Sequence, residues 1–104
     1  MKANKKTILE YLKEIKSELL SDGIEKIALF GSFARDENSV YSDIDIAIAK
    51  DSDYLKNRSA YAYFDEINQI KTMIQKKFHR NIDIFDLDSD SVMKQSIIED
   101  LVYV

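Results

Sequence analysis

The segment from Asp43 to Ala49 constrains the fold most strongly, because its residues alternate strictly between apolar and acidic or small side chains. An alternation with a period of two is typical of a β-strand, whose successive side chains point to opposite faces. The isoleucines Ile44, Ile46 and Ile48 form the apolar face. This face has to be covered, so the segment predicts a strand in a sheet that packs against helices.

The first half of the chain supplies one such helix and a second strand. Apolar residues at helical spacing predict a helix over residues 5–20, and Gly23 is suited to the left-handed backbone that ends a helix. Residues 24–30 are short and apolar towards their end, which predicts a buried strand. Residues 31–35 then begin a short helical turn, and residues 36–39 form a polar loop. The apolar positions of the first helix are Ile8, Leu9, Leu12, Ile15 and Leu19.

The second half repeats the alternation of helix and strand. Apolar spacing predicts a long helix over about 57–79, a third strand over 81–85, a last helix over 89–100 and a short strand over 101–104. The order of these elements predicts an α+β domain, with a short mixed sheet and helices packed on one face. A chain of 104 residues is one domain, which we place at residues 1–104.

Composition excludes several classes of protein. The formal net charge of -4 argues against a general nucleic-acid binder, which needs a basic face for the phosphate backbone. The absence of cysteine excludes disulfides and thiolate metal sites. No stretch resembles a signal peptide or approaches the length of a membrane span, so we expect no membrane association and a cytoplasmic location.

Three aspartates form the group of residues that best fits a metal site. Asp43 and Asp45 are two apart on a predicted strand, so their side chains share a face about 6.5–7 Å apart. Asp83 lies in another short strand and joins the same face if the two strands are neighbours. Three carboxylates on one face repel one another, and a divalent cation such as Mg²⁺ converts that repulsion into a binding site.

The turn after the first strand fits a phosphate group. Gly31 lets the backbone approach a ligand closely, and the amides of Gly31 and Ser32 can face phosphate oxygens. Arg35, one turn further on, either contacts a phosphate or forms a salt bridge with Asp43 or Glu37. Each motif alone has a plain alternative, since Gly-Ser is common in loops and Asp-x-Asp is common on surfaces.

The motifs together resemble a known family. Gly31-Ser32, ten further residues and then Asp43-Ile44-Asp45 match the motif of the DNA polymerase beta-like nucleotidyltransferase superfamily. The fuller string Gly-Ser-Phe-Ala-Arg, followed by Ser-Asp-Ile-Asp-Ile, is similar to its minimal nucleotidyltransferase branch. Members of that branch are small palm-like domains and often antitoxins paired with a HEPN-domain toxin.

The resemblance implies a role for each motif residue. Asp43, Asp45 and Asp83 would be the catalytic triad that binds Mg²⁺, with two ions, and Asp83 would act as, or assist, the base towards the attacking hydroxyl. The nucleotide, ATP, would contact a second set of residues. That set is Gly31, Ser32, Arg35 and Ser42. The antitoxin branch implies transfer of AMP to a tyrosine of a HEPN RNase toxin as partner.

One position departs from the family pattern. The family usually has glycine after the arginine, and this chain has Asp36. We expect a non-glycine residue to change the turn that follows and to add negative charge near the phosphates. Because Gly31-Ser32 and the three aspartates are intact, we do not infer a loss of activity.

The chain is too short for the acceptor-binding domain of larger relatives, so we expect the acceptor to be presented by another protein. An acidic surface suits a basic RNase as that protein.

Two other functions are compatible with the sequence. The protein could instead mask the toxin by binding alone, with a relic metal site. It could also modify a small hydroxyl compound such as an aminoglycoside.

Overall fold

The computed structural model describes residues 1–104 and contains five helices and four strands. The helices are α1 (Lys5–Ser21), α2 (Gly31–Ala34), α3 (Tyr54–Asn57), α4 (Ala60–Phe78) and α5 (Lys94–Asp100). The strands are β1 (Ile24–Phe30), β2 (Ile44–Lys50), β3 (Ile82–Asp86) and β4 (Val102–Tyr103).

The four strands form one mixed sheet in the order β3-β2-β1-β4. Strand β1 is antiparallel to both β2 and β4, whereas β2 and β3 are parallel. A parallel pair needs a long crossover, and α3 and α4 provide it. The α+β class and the mixed sheet predicted from the sequence are confirmed.

The main core lies between one face of the sheet and the two long helices. The three isoleucines of β2 are completely buried there, as their alternation predicts. Helices α1 and α4 each contribute four buried side chains to the cover. These are Ile8, Leu12, Ile15 and Leu19 from α1, and Tyr63, Ile70, Ile74 and Phe78 from α4.

The opposite face of the sheet carries a smaller apolar cluster. Its centre consists of the alanines Ala28, Ala47 and Ala49. Because Ala47 is small, the rings of Phe30 and Phe85 reach towards each other from the flanking strands, with centroids 6.3 Å apart. Both faces of the central strands are therefore packed, which makes the sheet a rigid support for the side chains at its ends.

Both ends of α1 agree with local sequence rules. Asn4 is the N-cap, and its side-chain oxygen accepts the Thr7 N–H at 2.8 Å. Gly23 has the positive φ of +95° predicted for it, and its N–H donates to the Leu20 carbonyl at 3.1 Å. The helix ends one residue later than predicted.

The long helix predicted over residues 57–79 is wrong at its start. The chain forms the single turn α3, passes through an extended Arg58, and begins α4 at Ala60. The Ser59 hydroxyl accepts the Ala62 N–H at 3.1 Å, so Ser59 is the N-cap that fixes this start. Apolar spacing did not reveal the break, because Tyr61 on the exposed face continues the apolar pattern.

The last helix is also shorter than the predicted range 89–100, since α5 begins only at Lys94. Short polar side chains hold the preceding residues in turns instead. The Asp86 carboxylate accepts the Asp88 N–H at 2.8 Å, and the Ser89 hydroxyl donates to the Asp86 carbonyl at 2.7 Å. Strands β2 and β3 each begin one residue later than predicted, and β4 covers only 102–103.

A polar network closes the carboxyl ends of β2 and β3. Lys50 Nζ contacts the carboxylates of Asp86 at 2.5 Å and Asp88 at 3.2 Å, and Tyr63 donates to Asp86 at 2.7 Å. Burial alone would raise the pKa of Asp86, but the hydrogen bonds from Lys50 and Tyr63 hold it below its usual range. The network fixes the end of the sheet remote from Asp45 and Asp83.

None of the helices combines the length and the apolar character needed to cross a membrane.

Candidate active site

Asp45 and Asp83 lie directly opposite each other on the parallel strands β2 and β3. Paired residues on neighbouring strands share a face, and the strands are about 4.8 Å apart. The prediction that these two strands are neighbours is therefore confirmed. Asp43 lies just before β2 and is exposed, so it extends the same acidic edge from a loop rather than from within a strand.

The Asp45 carboxyl has the most perturbed environment of the three aspartates. Burial, with repulsion from Asp83 and then Asp43, raises its pKa to about 6, while Arg35 acts in the opposite direction. Burial is the largest of these causes, and the negative charges of Asp83 and Asp43 add to it. A carboxylate with a raised pKa at one edge of a sheet is typical of a functional site.

The predicted metal site stays a prediction. The side chains as placed contain no group of three or more acidic, histidine or cysteine residues close enough together to hold an ion. The donor chemistry nevertheless fits, because carboxylate oxygens are the ligands that Mg²⁺ prefers. A cation beside Asp45 would also relieve the repulsion from Asp43 and Asp83 that raises its pKa.

Gly31 lies against the Asp45 carboxylate. A Cβ atom at this position would lie 3.0 Å from Asp45 Cγ and still closer to Oδ2, and the φ of Gly31 is +74°. Both the space and the backbone conformation therefore require glycine. The predicted approach of a ligand to Gly31 stays a prediction, because the group that lies against this glycine is the Asp45 carboxylate.

The α2 turn presents Gly31 and Ser32 next to the acidic edge. Its Phe33 is completely buried and anchors the turn in the main core. The first amides of a helix have no partners within it, so those of Gly31 and Ser32 can donate to an anion. The assignment of Gly31 and Ser32 to phosphate binding stays a prediction.

Asp36 ends this turn without changing it, which corrects the expectation from its departure from glycine. It adopts the left-handed conformation, with a φ of +57°. Its N–H donates to the Phe33 carbonyl at 3.3 Å, and the Glu37 N–H donates to the Ser32 carbonyl at 2.9 Å. This pair of bonds is the Schellman closure that glycine normally makes at a helix end.

Asp36→Gly should therefore stabilise the protein without altering the site. Aspartate can adopt the left-handed backbone conformation, but at a higher free energy than glycine. The left-handed region costs a residue with a Cβ atom about 1–2 kcal/mol, and the greater freedom of glycine in the unfolded chain offsets about 0.4–1 kcal/mol of this, so we expect the free energy of unfolding to rise by roughly 0.5–1 kcal/mol. Urea denaturation of the two proteins measures the change, and an unchanged or lower midpoint would show that Asp36 is not strained.

Arg35 is held by two carboxylates. Its Nη1 lies 2.5 Å from Asp100 of α5, and its Nε lies 3.0 Å from Glu37. Of the roles considered for Arg35, a salt bridge with Glu37 is present, and Asp100 rather than Asp43 is its second partner. A contact of Arg35 with a phosphate stays a prediction.

Ser42 belongs to the loop that precedes Asp43. Its hydroxyl accepts the Ser39 N–H at 2.9 Å, and its carbonyl accepts from Arg80 at 2.8 Å. The assignment of Ser42 to nucleotide binding stays a prediction. The sequence did not identify Arg80 as part of the site, and its position three residues before Asp83 was the only available signal.

His79 ends helix α4. It has a left-handed φ of +56°, and its N–H donates to the Gln75 carbonyl at 2.7 Å. It is exposed.

Two open cavities lie beside the carboxylates. The first, of about 380 Å³, is lined by Asp43, Ser42 and Arg80 among others and lies on the α4 side. The second, of about 390 Å³, lies between α2 and α5 and is lined by Phe30, Gly31 and Arg35 among others. The first cavity therefore adjoins Asp43, and the second adjoins the Gly31 turn.

Comparison with known proteins agrees with this geometry. Residues 7–104 match the sequence model of the family described as "Polymerase beta, Nucleotidyltransferase". Three proteins of Methanocaldococcus jannaschii, each named "Putative protein adenylyltransferase", are relatives. One is 34% identical over 93% of this chain and 94% of its own length. The second is 35% identical over 78% and 77%, and the third is 35% identical over 95% and 93%.

A solved structure is also similar in sequence. The crystal structure of a "putative nucleotidyltransferase" from Sulfolobus solfataricus is 26% identical, with a TM-score of 0.49, and the match covers 95% of this chain and 80% of that one.

The family match covers almost the whole chain, including the Gly31 turn and all three aspartates. The relatives are more than 30% identical over most of their own length. The chain therefore belongs to the polymerase beta nucleotidyltransferase family, and it is a nucleotidyltransferase.

Proposed function

We propose that the protein transfers AMP from ATP to a tyrosine of a partner protein, and that this partner is a HEPN-domain RNase toxin which the transfer silences. The observation that carries the proposal is the position of Asp45, opposite Asp83 and against the Gly31 turn. A phosphate group held at this turn lies beside the carboxylates that would bind its metal ion.

Gly31 and Ser32 are the residues proposed to bind the triphosphate. The turn places its first backbone amides next to the carboxylates, where they can donate to a phosphate oxygen. Arg35 and Ser42 lie on either side of this turn, at the α2–α5 cavity and at the loop before Asp43. They extend the proposed contacts with the nucleotide.

The proposed reaction is a substitution at the α-phosphorus of ATP. The tyrosine oxygen of the partner forms a new bond to that phosphorus, and the bond from phosphorus to the bridging oxygen breaks, so that pyrophosphate leaves with the electron pair. The proton of the tyrosine hydroxyl passes to a carboxylate. Asp83 is exposed and suits this base, since an acceptor on another protein can reach it.

Asp43, Asp45 and Asp83 would together hold Mg²⁺, with two ions in the proposed site. Bound Mg²⁺ would neutralise charge on the phosphates and on the departing pyrophosphate. The raised pKa of Asp45 is consistent with this assignment, because burial first, and then repulsion from Asp83 and Asp43, disfavours its charge, and a bound cation would offset both. Without a cation, the same repulsion would also disfavour the approach of a triphosphate.

A protein acceptor suits the open geometry of the site. The names of the M. jannaschii relatives, which refer to protein adenylyltransferases, support a protein rather than a small molecule. The acidic balance of the chain, with a net charge of -4, suits a basic partner such as an RNase.

Labelled ATP tests the proposal directly. The protein is incubated with a HEPN-domain protein, Mg²⁺ and ATP that carries ³²P on either the α- or the γ-phosphate. We expect label on the partner from α-labelled ATP only, because AMP transfer retains the α-phosphate and releases the other two. Label from the γ-phosphate would indicate phosphorylation instead.

Two further samples complete this test. A chelator of divalent cations should abolish the label, and its persistence would contradict metal dependence. No label on the folded partner from either ATP would contradict the proposed function.

A further inference from the structure

Arg80 connects three segments of the candidate site, although the sequence predicted no role for it. Its Nη1 lies within hydrogen-bond distance of three carbonyl oxygens in the loop before Asp43. These are the carbonyls of Ser39 at 3.2 Å, Val40 at 3.4 Å and Ser42 at 2.8 Å. The contact with Ser42 is the shortest, and because Nη1 carries two N–H groups, the carbonyls of Ser39 and Val40 share the other one.

The peptide groups on both sides of Asp43 are fixed by residues 80–81. The carbonyl of Ser42 accepts from Arg80, and the N–H of Ile44 donates to the Asn81 carbonyl at 2.9 Å. Asp43 itself is exposed and precedes β2, so the strand ladder holds it on one side only, through the bond from Ile44 to Asn81. Its backbone direction depends on these two contacts.

The same guanidinium also packs on the α2 turn. The carbon Cζ of Arg80 lies 5.2 Å from the ring centroid of Phe33, the buried residue that anchors Gly31 and Ser32. Arg80 lies three residues before Asp83, at the entrance to β3. Arg80 thus connects the loop of Asp43, the strand of Asp83 and the turn that carries the proposed phosphate contacts.

We propose that Arg80 is a positioning residue that holds Asp43 in register with Asp45 and Asp83. This proposal rests on the proposed function, because it assigns Asp43 to the metal site. Arginine suits the task because its guanidinium can donate to the loop carbonyls while its planar face packs on the Phe33 ring. A lysine ammonium could donate to the same carbonyls but lacks the planar face, so it would replace only part of these contacts.

Arg80→Ala should free the loop, and amide hydrogen exchange measures this without any assay of activity. We expect the Ile44 amide to exchange at least about tenfold faster than in the wild type, because opening of the loop breaks its bond to Asn81. We also expect the Mg²⁺ concentration for half-maximal AMP transfer to rise about 10- to 100-fold, the range for groups that orient metal ligands.

Arg58→Ala is a matched control. The Arg58 guanidinium also packs on an aromatic ring, with Cζ 4.5 Å from the centroid of Tyr54, but it has no contact with the loop before Asp43. It should leave both the Ile44 exchange rate and the Mg²⁺ requirement unchanged. Arg80→Lys retains a charge and a donor, and it should give intermediate values for both quantities.

The outcomes separate the two proposals. If Ile44 exchanges as slowly in Arg80→Ala as in Arg58→Ala, Arg80 does not position Asp43. If Arg80→Ala does not fold, Arg80→Met decides, because methionine keeps an extended side chain but has no donor, and wild-type values for both quantities would overturn the proposal. A wild-type protein that transfers no AMP contradicts the proposed function, whereas the exchange rate still tests the role of Arg80 in holding the loop.

Discussion

Asp45→Asn should abolish nucleotidyl transfer while leaving the fold intact. The amide is nearly the same size as the carboxylate but carries no charge for a cation. Metal coordination contributes several kcal/mol to the stability of the transition state, and each 1.36 kcal/mol is tenfold in rate. We therefore expect kcat/KM for AMP transfer to fall by about a thousandfold or more.

The same variant should be more stable than the wild type at neutral pH in the absence of metal. Because the pKa of Asp45 is raised to about 6 in the folded protein, its ionisation costs stability above that pH. The cost disappears as the pH falls towards the value of the unfolded chain, near 4. After allowance for solvent screening of this half-buried group, we expect a gain of about 1 kcal/mol at pH 7.5 and none at pH 4.

Chemical denaturation at the two pH values measures this gain. Asp65→Asn is a suitable control, because Asp65 is an exposed aspartate of α4 far along the chain from the acidic edge. It should change neither activity nor stability appreciably. If Asp45→Asn were inactive but less stable at pH 7.5, the loss of activity would reflect damage to the fold rather than loss of a ligand.

Gly31→Ala should damage both stability and activity. The added methyl group would overlap the Asp45 carboxylate, and the left-handed φ would cost alanine about 1–2 kcal/mol. Relief of the overlap requires Asp45 to move. A displacement of about 1 Å in a reacting group costs on the order of a hundredfold in rate, so we expect a loss of this size in kcat/KM.

Gly23→Ala separates the two effects. Gly23 also has a positive φ, of +95°, and a Cβ there would meet the side chains of Tyr54 and Arg58 at 2.7 and 2.9 Å. The Gly23→Ala variant should therefore be destabilised to a similar degree as Gly31→Ala. The activity of each folded molecule of Gly23→Ala should stay at the wild-type level. Equal losses of activity in the two variants would show that Gly31 matters only for stability.

The sequence was sufficient for the features that depend on local pattern. The alternation around Asp45 correctly indicated both the strand and the face of each side chain, because a strand has a period of two whatever its neighbours. The pairing of Asp45 with Asp83 required only that β2 and β3 be adjacent. Gly31 was identified through its place after a buried strand.

Features that depend on distant contacts could not be read from the sequence. Arg80 and Asp100 act on residues 38–65 positions away along the chain, and nothing local to them indicates those partners. The start of α5 was missed because Asp86, Ser89 and their neighbours satisfy backbone groups within turns. Such side chains compete with helix formation for the backbone N–H and carbonyl groups, and the spacing of apolar residues does not reveal this competition.

The most direct test of the account is the mass of the partner after reaction. The HEPN-domain protein is incubated with ATP and Mg²⁺ and either the wild type or the double variant Asp43→Asn/Asp45→Asn, and tryptic peptides are analysed by mass spectrometry. We predict AMP on a tyrosine with the wild type and an unmodified partner with the double variant. AMP at equal levels with both proteins, or with neither, would contradict catalysis by these carboxylates.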